Sequence, residues 1–179
     1  MSPKIGDTIA VVGTGYMGLG MVSLFKAMGY ANIIAVDERE IALENAKKYG
    51  ATEGYLPSQL PESFVLNWDT WGDPDLKRNG HTTDIFNIGF QSVVEFTGTQ
   101  SGLQLASEMV CAHGTLGIAG FHNDGLRTLD MKLANMKAIT MHNCHERRIA
   151  YEFTMCRRGM QLIAQNQWNM RGLVNRVYS

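Results

Sequence analysis

Short apolar runs alternate along this chain with stretches whose apolar residues recur every three or four positions. Residues 8–12 (Thr-Ile-Ala-Val-Val) are small or β-branched and run straight into Gly13, which predicts a buried strand ending at a turn. Met17, Met21, Leu24, Phe25 and Met28 then follow at helical spacing, and Gly29 closes that helix. Residues 32–36 (Asn-Ile-Ile-Ala-Val) predict a second strand. Residues 39–49 predict a second helix, with Ile41, Ala42, Ala46 and Tyr49 as its inner face and Gly50 as its stop. Residues 52–55 read as a third, shorter strand. Strand, helix, strand, helix at this spacing predicts right-handed βαβ units on a parallel sheet.

The rhythm breaks over residues 57–83, which carry Pro57, Pro61, Pro74, Gly72, Gly80, Trp68 and Trp71. A short helix around residues 59–66 is expected there, then an irregular surface insertion pinned by the two tryptophans. Regularity returns with a strand at 92–96, a helix at 103–110, a strand at 115–119 ending at Gly120, a short helix at 131–136 and a last strand at 138–141. Residues 149–165 predict an amphipathic helix with Phe153, Cys156, Met160 and Ile163 on one face, and residues 168–179 form a tail. The expected fold is α/β: a single doubly wound parallel sheet of about six strands, with helices on both faces, over residues 1–179.

Composition narrows the function. With 179 residues, 45% of them hydrophobic and 18% charged, the chain can bury a core unaided. A formal net charge of −1 lacks the basic footprint of a nucleic-acid binder. No apolar run approaches the ~20 residues that span a bilayer, and the first seven residues form no secretory signal. Cys111, Cys144 and Cys156 are scattered and make no CxxC pair, so they read as reduced thiols of a cytoplasmic protein.

Gly13-Thr14-Gly15-Tyr16-Met17-Gly18 is G-x-G-x-x-G, set between a predicted strand and a predicted helix. Gly13 permits the sharp turn, Gly15 lets a pyrophosphate approach the backbone, and Gly18 lets the helix pack close to the sheet. The N–H groups and positive dipole end of that helix then face the phosphates. Asp37 ends the second strand, where a carboxylate accepts hydrogen bonds from a ribose diol and repels a 2′-phosphate. This favours NAD over NADP. Two alternatives stand beside it: Asp37 caps the helix that begins near Arg39, or Arg39 itself holds a 2′-phosphate or stacks on adenine. Thr97-Gly98-Thr99 and Gly120-Phe121-His122 follow later strands and are candidate lips of the same crevice.

Taken together, these segments resemble the coenzyme-binding domain of the medium-chain, zinc-type alcohol dehydrogenases. The matching pieces are residues 6–13, the glycine motif, residues 25–30, Val36-Asp37, residues 46–52, residues 94–98 and residues 117–120, in that order. The resemblance implies NAD bound by Gly13, Gly15, Tyr16, Met17, Gly18, Asp37, Glu38 and Arg39. It places Thr97 and Gly98 beside the cofactor, and Ile118, Ala119, Gly120 and Phe121 along the nicotinamide. It also implies a homodimer through the last strand, near Ile139–Met141, since an unpaired edge invites pairing. Only twelve residues precede Gly13 and none is Cys or His. The expectation is therefore an isolated coenzyme-binding domain without the family's N-terminal catalytic domain, inactive alone, with zinc only in the missing part. Two other classes stand beside it: a non-catalytic NAD-sensing or interaction module, and a methyltransferase using S-adenosylmethionine, which the glycine spacing fits less well and whose usual acid before the first glycine is replaced here by Val11 and Val12.

Three further readings complete the picture. Cys144, His145 and Glu146 follow one another along a strand and turn, so they point to alternate sides and do not converge on a metal. His122 is expected to be a solvated loop histidine rather than a proton shuttle. Arg147, Arg148, Arg157 and Arg158 are expected on the solvated face of the last helix.

Overall fold

A computed structural model describes residues 6–67, 88–170 and 173. The strands are β1 (Thr8–Val12), β2 (Asn32–Val36), β3 (Glu53–Tyr55), β4 (Phe90–Glu95), β5 (Val110–Ile118) and β6 (Thr140–Asn143). The helices are α1 (Tyr16–Ala27), α2 (Glu40–Tyr49), α3 (Gln100–Met109), α4 (Met131–Lys137) and α5 (Ile149–Ala164). The strands form one sheet in the order β3-β2-β1-β4-β5-β6, with every pairing parallel. The chain leaves β1 toward β2 on one side and later returns to β4 on the other. The strand ends of β1 and β4 therefore part over a crevice, the topological switch point of a doubly wound sheet.

The period-two alternation of the strands explains the layers. Ile9 and Val11 point into one apolar cluster with Val22 and Phe25 of α1, Leu43 and Ala46 of α2, and Ile33 and Ala35 of β2. Ala10 and Val12 point to the opposite face, with Ile34, Val36, Val93, Leu116 and residues Leu103, Ala106 and Met109 of α3. Both faces are covered, which is why these strands read as continuous apolar runs.

Several expectations shift. In place of the short helix near 59–66 there are two single 3-10 turns, Pro57–Gln59 and Glu62–Phe64. Leu60 precedes Pro61, and proline's ring forces it out of the helical region, to φ −64°, ψ 133°. The segment is tied down nonetheless: Leu66 donates its N–H to the Glu108 carbonyl (3.0 Å), and Phe64 packs edge-on against Phe90, with ring centroids 4.7 Å apart. Trp68 and Trp71 lie outside the described residues. Strand β5 starts at Val110 rather than Thr115, with an irregularity in its pairing to β4 and with His113 in the left-handed region (φ 59°). Strand β6 begins at Thr140 because Ala138 takes a left-handed conformation (φ 49°) at the end of α4. The largest departure is α5, which buries none of its side chains; Phe153 and Met160 are each 71% exposed. Trp168, just beyond α5, instead returns to α1 and donates its indole N–H to the Gly20 carbonyl (3.0 Å).

Lys137 was not foreseen as a core residue. Its side chain is 1% exposed, and its ammonium donates to the carbonyls of Glu108 (2.7 Å) and Ser107 (3.3 Å), closing the last turn of α3. Burial pushes its pKa down to about 8, against the attraction of Glu108 and Cys111. A lysine in the unfolded chain titrates near ~10.4. Between these values the unfolded chain binds more protons, so Lys137 makes stability rise with pH. The Cys111 thiol, pushed up by its own burial, acts in the opposite direction. In a Cys111→Ala background, urea unfolding should show the stability difference between Lys137 and Lys137→Met growing by about 2 kcal/mol from pH 7.5 to pH 10 in favour of lysine. A difference that does not change with pH would contradict this.

Candidate functional site

A cleft of about 480 Å³ opens beyond the carboxyl ends of β1, β2 and β4. Val12, Gly13 and Gly15 floor it; Val36, Asp37, Glu38 and Arg39 form one wall; Phe96, Thr97 and Thr99 form the other, with Pro57 at the edge. The floor depends on two close approaches. Gly13 takes φ +88° and donates its N–H to the Val36 carbonyl (2.8 Å); a Cβ there would sit 2.8 Å from the Thr97 methyl group. A Cβ at Gly18 would overlap the Gly13 carbonyl oxygen, so glycine is what lets α1 begin directly over the end of β1. Gly15 differs, because a Cβ there would have only the Arg39 guanidinium near it, at 4.0 Å. It faces open cleft. Helix α1 starts with neither a side-chain cap nor an acidic residue in its first turn. Its positive end is thus presented to the cleft without an internal anion.

Asp37 stands opposite. One carboxylate oxygen accepts from the Thr14 N–H (2.8 Å) and hydroxyl (3.2 Å), the other from the Arg39 N–H (3.1 Å) and Nε (3.0 Å). Partial burial pushes the Asp37 carboxyl up, but the hydrogen bonds from Arg39 and Thr14 outweigh it and hold it below the usual range. The helix-cap alternative does not describe this geometry: the residue before α2 is Arg39, and α2 has no side-chain cap. Arg39 lies mostly in solvent, as one arm of a surface ion pair with Asp37.

The third part of the site centres on Glu95, which is fully buried. One of its oxygens takes the N–H and hydroxyl of Thr97 and the N–H of Gly98 (2.7 Å); the other meets His122 Nε2 at 3.1 Å. Arg127 donates its Nε to His122 Nδ1 (3.0 Å), so the ring's proton sits on Nε2 and is given to Glu95. Arg127 also donates to the Gly98 carbonyl (2.8 Å) and pairs with Asp124. His122 is therefore not a solvated loop histidine: its side chain is 15% exposed, because the buried carboxylate draws it inward. The backbone carbonyl of Glu95 accepts from Ala119 (2.9 Å) and Gly120 (2.8 Å), fastening the end of β5 to the end of β4.

The structure thus gathers Gly13, Gly15, Asp37, Glu38, Arg39 and Thr97 around one cleft, with Gly18 behind it and Gly98 held at its rim. Tyr16 and Met17 are exposed and line no part of the cleft; only their backbone lies at the start of α1. Ile118, Gly120 and Phe121 border a second cavity of about 300 Å³, with His122 on the same side and Asn143, His145 and Arg147 across from them; Ala119 borders neither space. Sequence reasoning passed over Thr14, Glu95 and Arg127. For Glu95 a signal existed, an acid inside the apolar run 92–96. Thr14 and Arg127 carry no such signal. Among the described residues no three His, Cys, Asp or Glu side chains gather as a metal-ligand set. His145 goes to the Gly120 carbonyl and Glu146 to Arg148.

Comparisons with known proteins agree with this architecture. A family model described as zinc-binding dehydrogenase matches residues 17–165. A probable D-xylulose reductase A from Arthroderma otae is 28% identical over 97% of this chain, and the match covers 44% of the relative. The chain thus spans less than half the length of that relative. Among solved structures, a putative zinc-binding dehydrogenase from Sinorhizobium meliloti 1021, bound to NADP, superposes with a TM-score of 0.68 at 18% identity, over 93% of this chain and 44% of the other. A short chain alcohol dehydrogenase from E. coli CFT073, complexed with NADH, superposes with a TM-score of 0.67 at 18% identity, over 94% and 43%. With its six-stranded parallel sheet, its glycine turn and this match over most of its length, the chain belongs to the zinc-binding dehydrogenase family.

Proposed function

We propose that this chain binds NAD(H) as the coenzyme-binding part of an alcohol-type oxidoreductase. The observation that carries the proposal is the uncapped start of α1, opening through Gly15 onto a cleft large enough for a dinucleotide. In this reading the backbone N–H groups of residues 15–18, Tyr16 and Met17 included, receive the diphosphate. The adenosine ribose lies against Asp37, with Glu38 and Arg39 alongside. Thr97, Gly98 and the stretch Ile118, Ala119, Gly120 and Phe121 flank the nicotinamide. Hydride transfer is the cofactor's chemistry; the chain's part is to orient the dinucleotide and exclude alternatives. Asp37 supports NAD over NADP, since its carboxylate is held ionised where a 2′-phosphate would lie. For a ribose diol to bind, the exposed Arg39 fork gives way while Thr14 keeps its hold on the carboxylate.

We propose that any zinc chemistry of the whole enzyme lies outside this segment, which spans less than half the length of the relative above. We accordingly propose that these 179 residues bind cofactor but do not oxidise alcohols by themselves. Strand β6 is one of the sheet's two edges and all four of its residues are exposed, which supports a homodimer built through it near Ile139–Met141. The free cysteines fit a cytoplasmic setting, and no described helix is long and apolar enough to cross a membrane.

Calorimetric titration should show NADH binding at least tenfold tighter than NADPH, and Asp37→Ala should cost about 1–3 kcal/mol of NADH affinity. Tighter NADPH binding would overturn the assignment. Glu95→Gln should weaken NADH much more than AMP, because Glu95 braces only the end of the cleft given to the nicotinamide; equal losses for both ligands would contradict that placement.

A further inference from the structure

The second cavity, beyond β5 and β6, has polar groups that the coenzyme reading leaves unused. It lies beside Gly120 and Phe121, the stretch given above to the nicotinamide, so a substrate meeting that ring would extend into it. The inference rests on the coenzyme reading for this placement.

The cavity's hydrogen-bonding capacity follows from what is already engaged. His122 has both ring nitrogens committed, to Glu95 and Arg127. His145 directs Nε2 at the Gly120 carbonyl (3.1 Å), so its Nε2–H is already given to the backbone. Asn143 accepts the His145 backbone N–H through Oδ1 (2.9 Å), which leaves its NH2 group as a donor. Among the described residues the Arg147 guanidinium makes no hydrogen bond or ion pair; only its backbone N–H is engaged, by Glu146.

Charge sharpens the point. Glu146 is the neighbouring acid, but it cannot neutralise Arg147. Its Oε2 takes the Arg148 guanidinium at 2.6 Å, and its Oε1 takes the Arg148 Nε and the N–H groups of Arg147 and Arg148. Glu95, the other acid close by, is enclosed by Thr97, Gly98 and His122. Among the described residues the cavity is left with one unpaired cation, exposed at its mouth, whose planar fork suits a planar carboxylate. A phosphate dianion would call for a second cation, and His122, with both ring nitrogens committed, does not supply one. The exposed Phe121 ring, 5.6 Å from the His145 ring, supplies an apolar wall.

We propose that this cavity is a substrate subsite for a small carboxylate-bearing molecule, with Arg147 gripping the carboxylate and Asn143 donating to it. The substrate class is then a short hydroxy- or oxo-acid rather than a simple alcohol.

The test uses the 179-residue chain with sodium L-lactate, its uncharged counterpart propane-1,2-diol, and inorganic phosphate as probes. Lactate with NADH is an unreactive pair, both partners being reduced. Titrations followed by NMR at the backbone N–H signals of Asn143 and His145, which line the same cavity and remain in every variant, should show lactate saturating at least tenfold tighter than the diol and tighter than phosphate. Arg147→Gln should abolish the preference, Arg147→Lys should restore part of it, and neither should change NADH affinity. Equal binding of lactate and diol, no saturation by lactate, tighter phosphate binding, or an unchanged lactate affinity in Arg147→Gln would each overturn the proposal. Repeating the lactate series without NADH separates the two readings. Lactate selectivity with no NADH binding would refute the coenzyme assignment alone, and NADH binding without lactate selectivity would refute the subsite alone.

Discussion

The close passage of Gly18 over the Gly13 carbonyl is the constraint on which the site depends. It places the start of α1 directly above the end of β1, so that a helix terminus without a side-chain cap faces the parting of β1 and β4. A methyl group at either glycine would push the helix or Thr97 away, and the cleft would lose its floor. Burial on both faces of the sheet makes this turn rigid: the strands behind it, Ile9 to Val12 and Ile33 to Val36, are almost wholly inaccessible to water.

The two walls are held by carboxylates in contrasting ways. Asp37 keeps its side chain only 8% exposed and shares its oxygens between Thr14, which is buried, and Arg39, which is not. One of its partners can leave at little cost, as an exposed ion pair is worth ~0–1 kcal/mol. Glu95 is wholly enclosed and its hydrogen bonds go to the turn at 97–98 and to His122, so losing it would strand several buried donors. The Asp37 side of the cleft is thus adjustable, and the opposite side is fixed.

Much of this was legible in the sequence, for physical reasons. Strands β1 and β2 fall where the β-branched runs place them, because a strand buried on both faces must be apolar throughout. The glycine turn was legible because the steric demand at Gly13 and Gly18 is local. Long-range polar pairing was not. The environment of His122 depends on Glu95, 27 residues earlier, and Lys137 is buried only because the carbonyls ending α3 wait for it 29 and 30 residues away. The apolar face predicted for α5 is present in the residues, but Phe153, Cys156 and Met160 stay exposed, and only its end, at Gly159 and Ile163 near Trp168, is partly covered.

The central claim is that a dinucleotide's diphosphate rests on the backbone at the start of α1. A crystal structure of the chain soaked with NAD tests it most directly. The account predicts diphosphate density within hydrogen-bonding distance of the N–H groups of residues 15–18, with the adenosine ribose at Asp37. Density for the cofactor elsewhere, with that turn closed by a side chain, would contradict it.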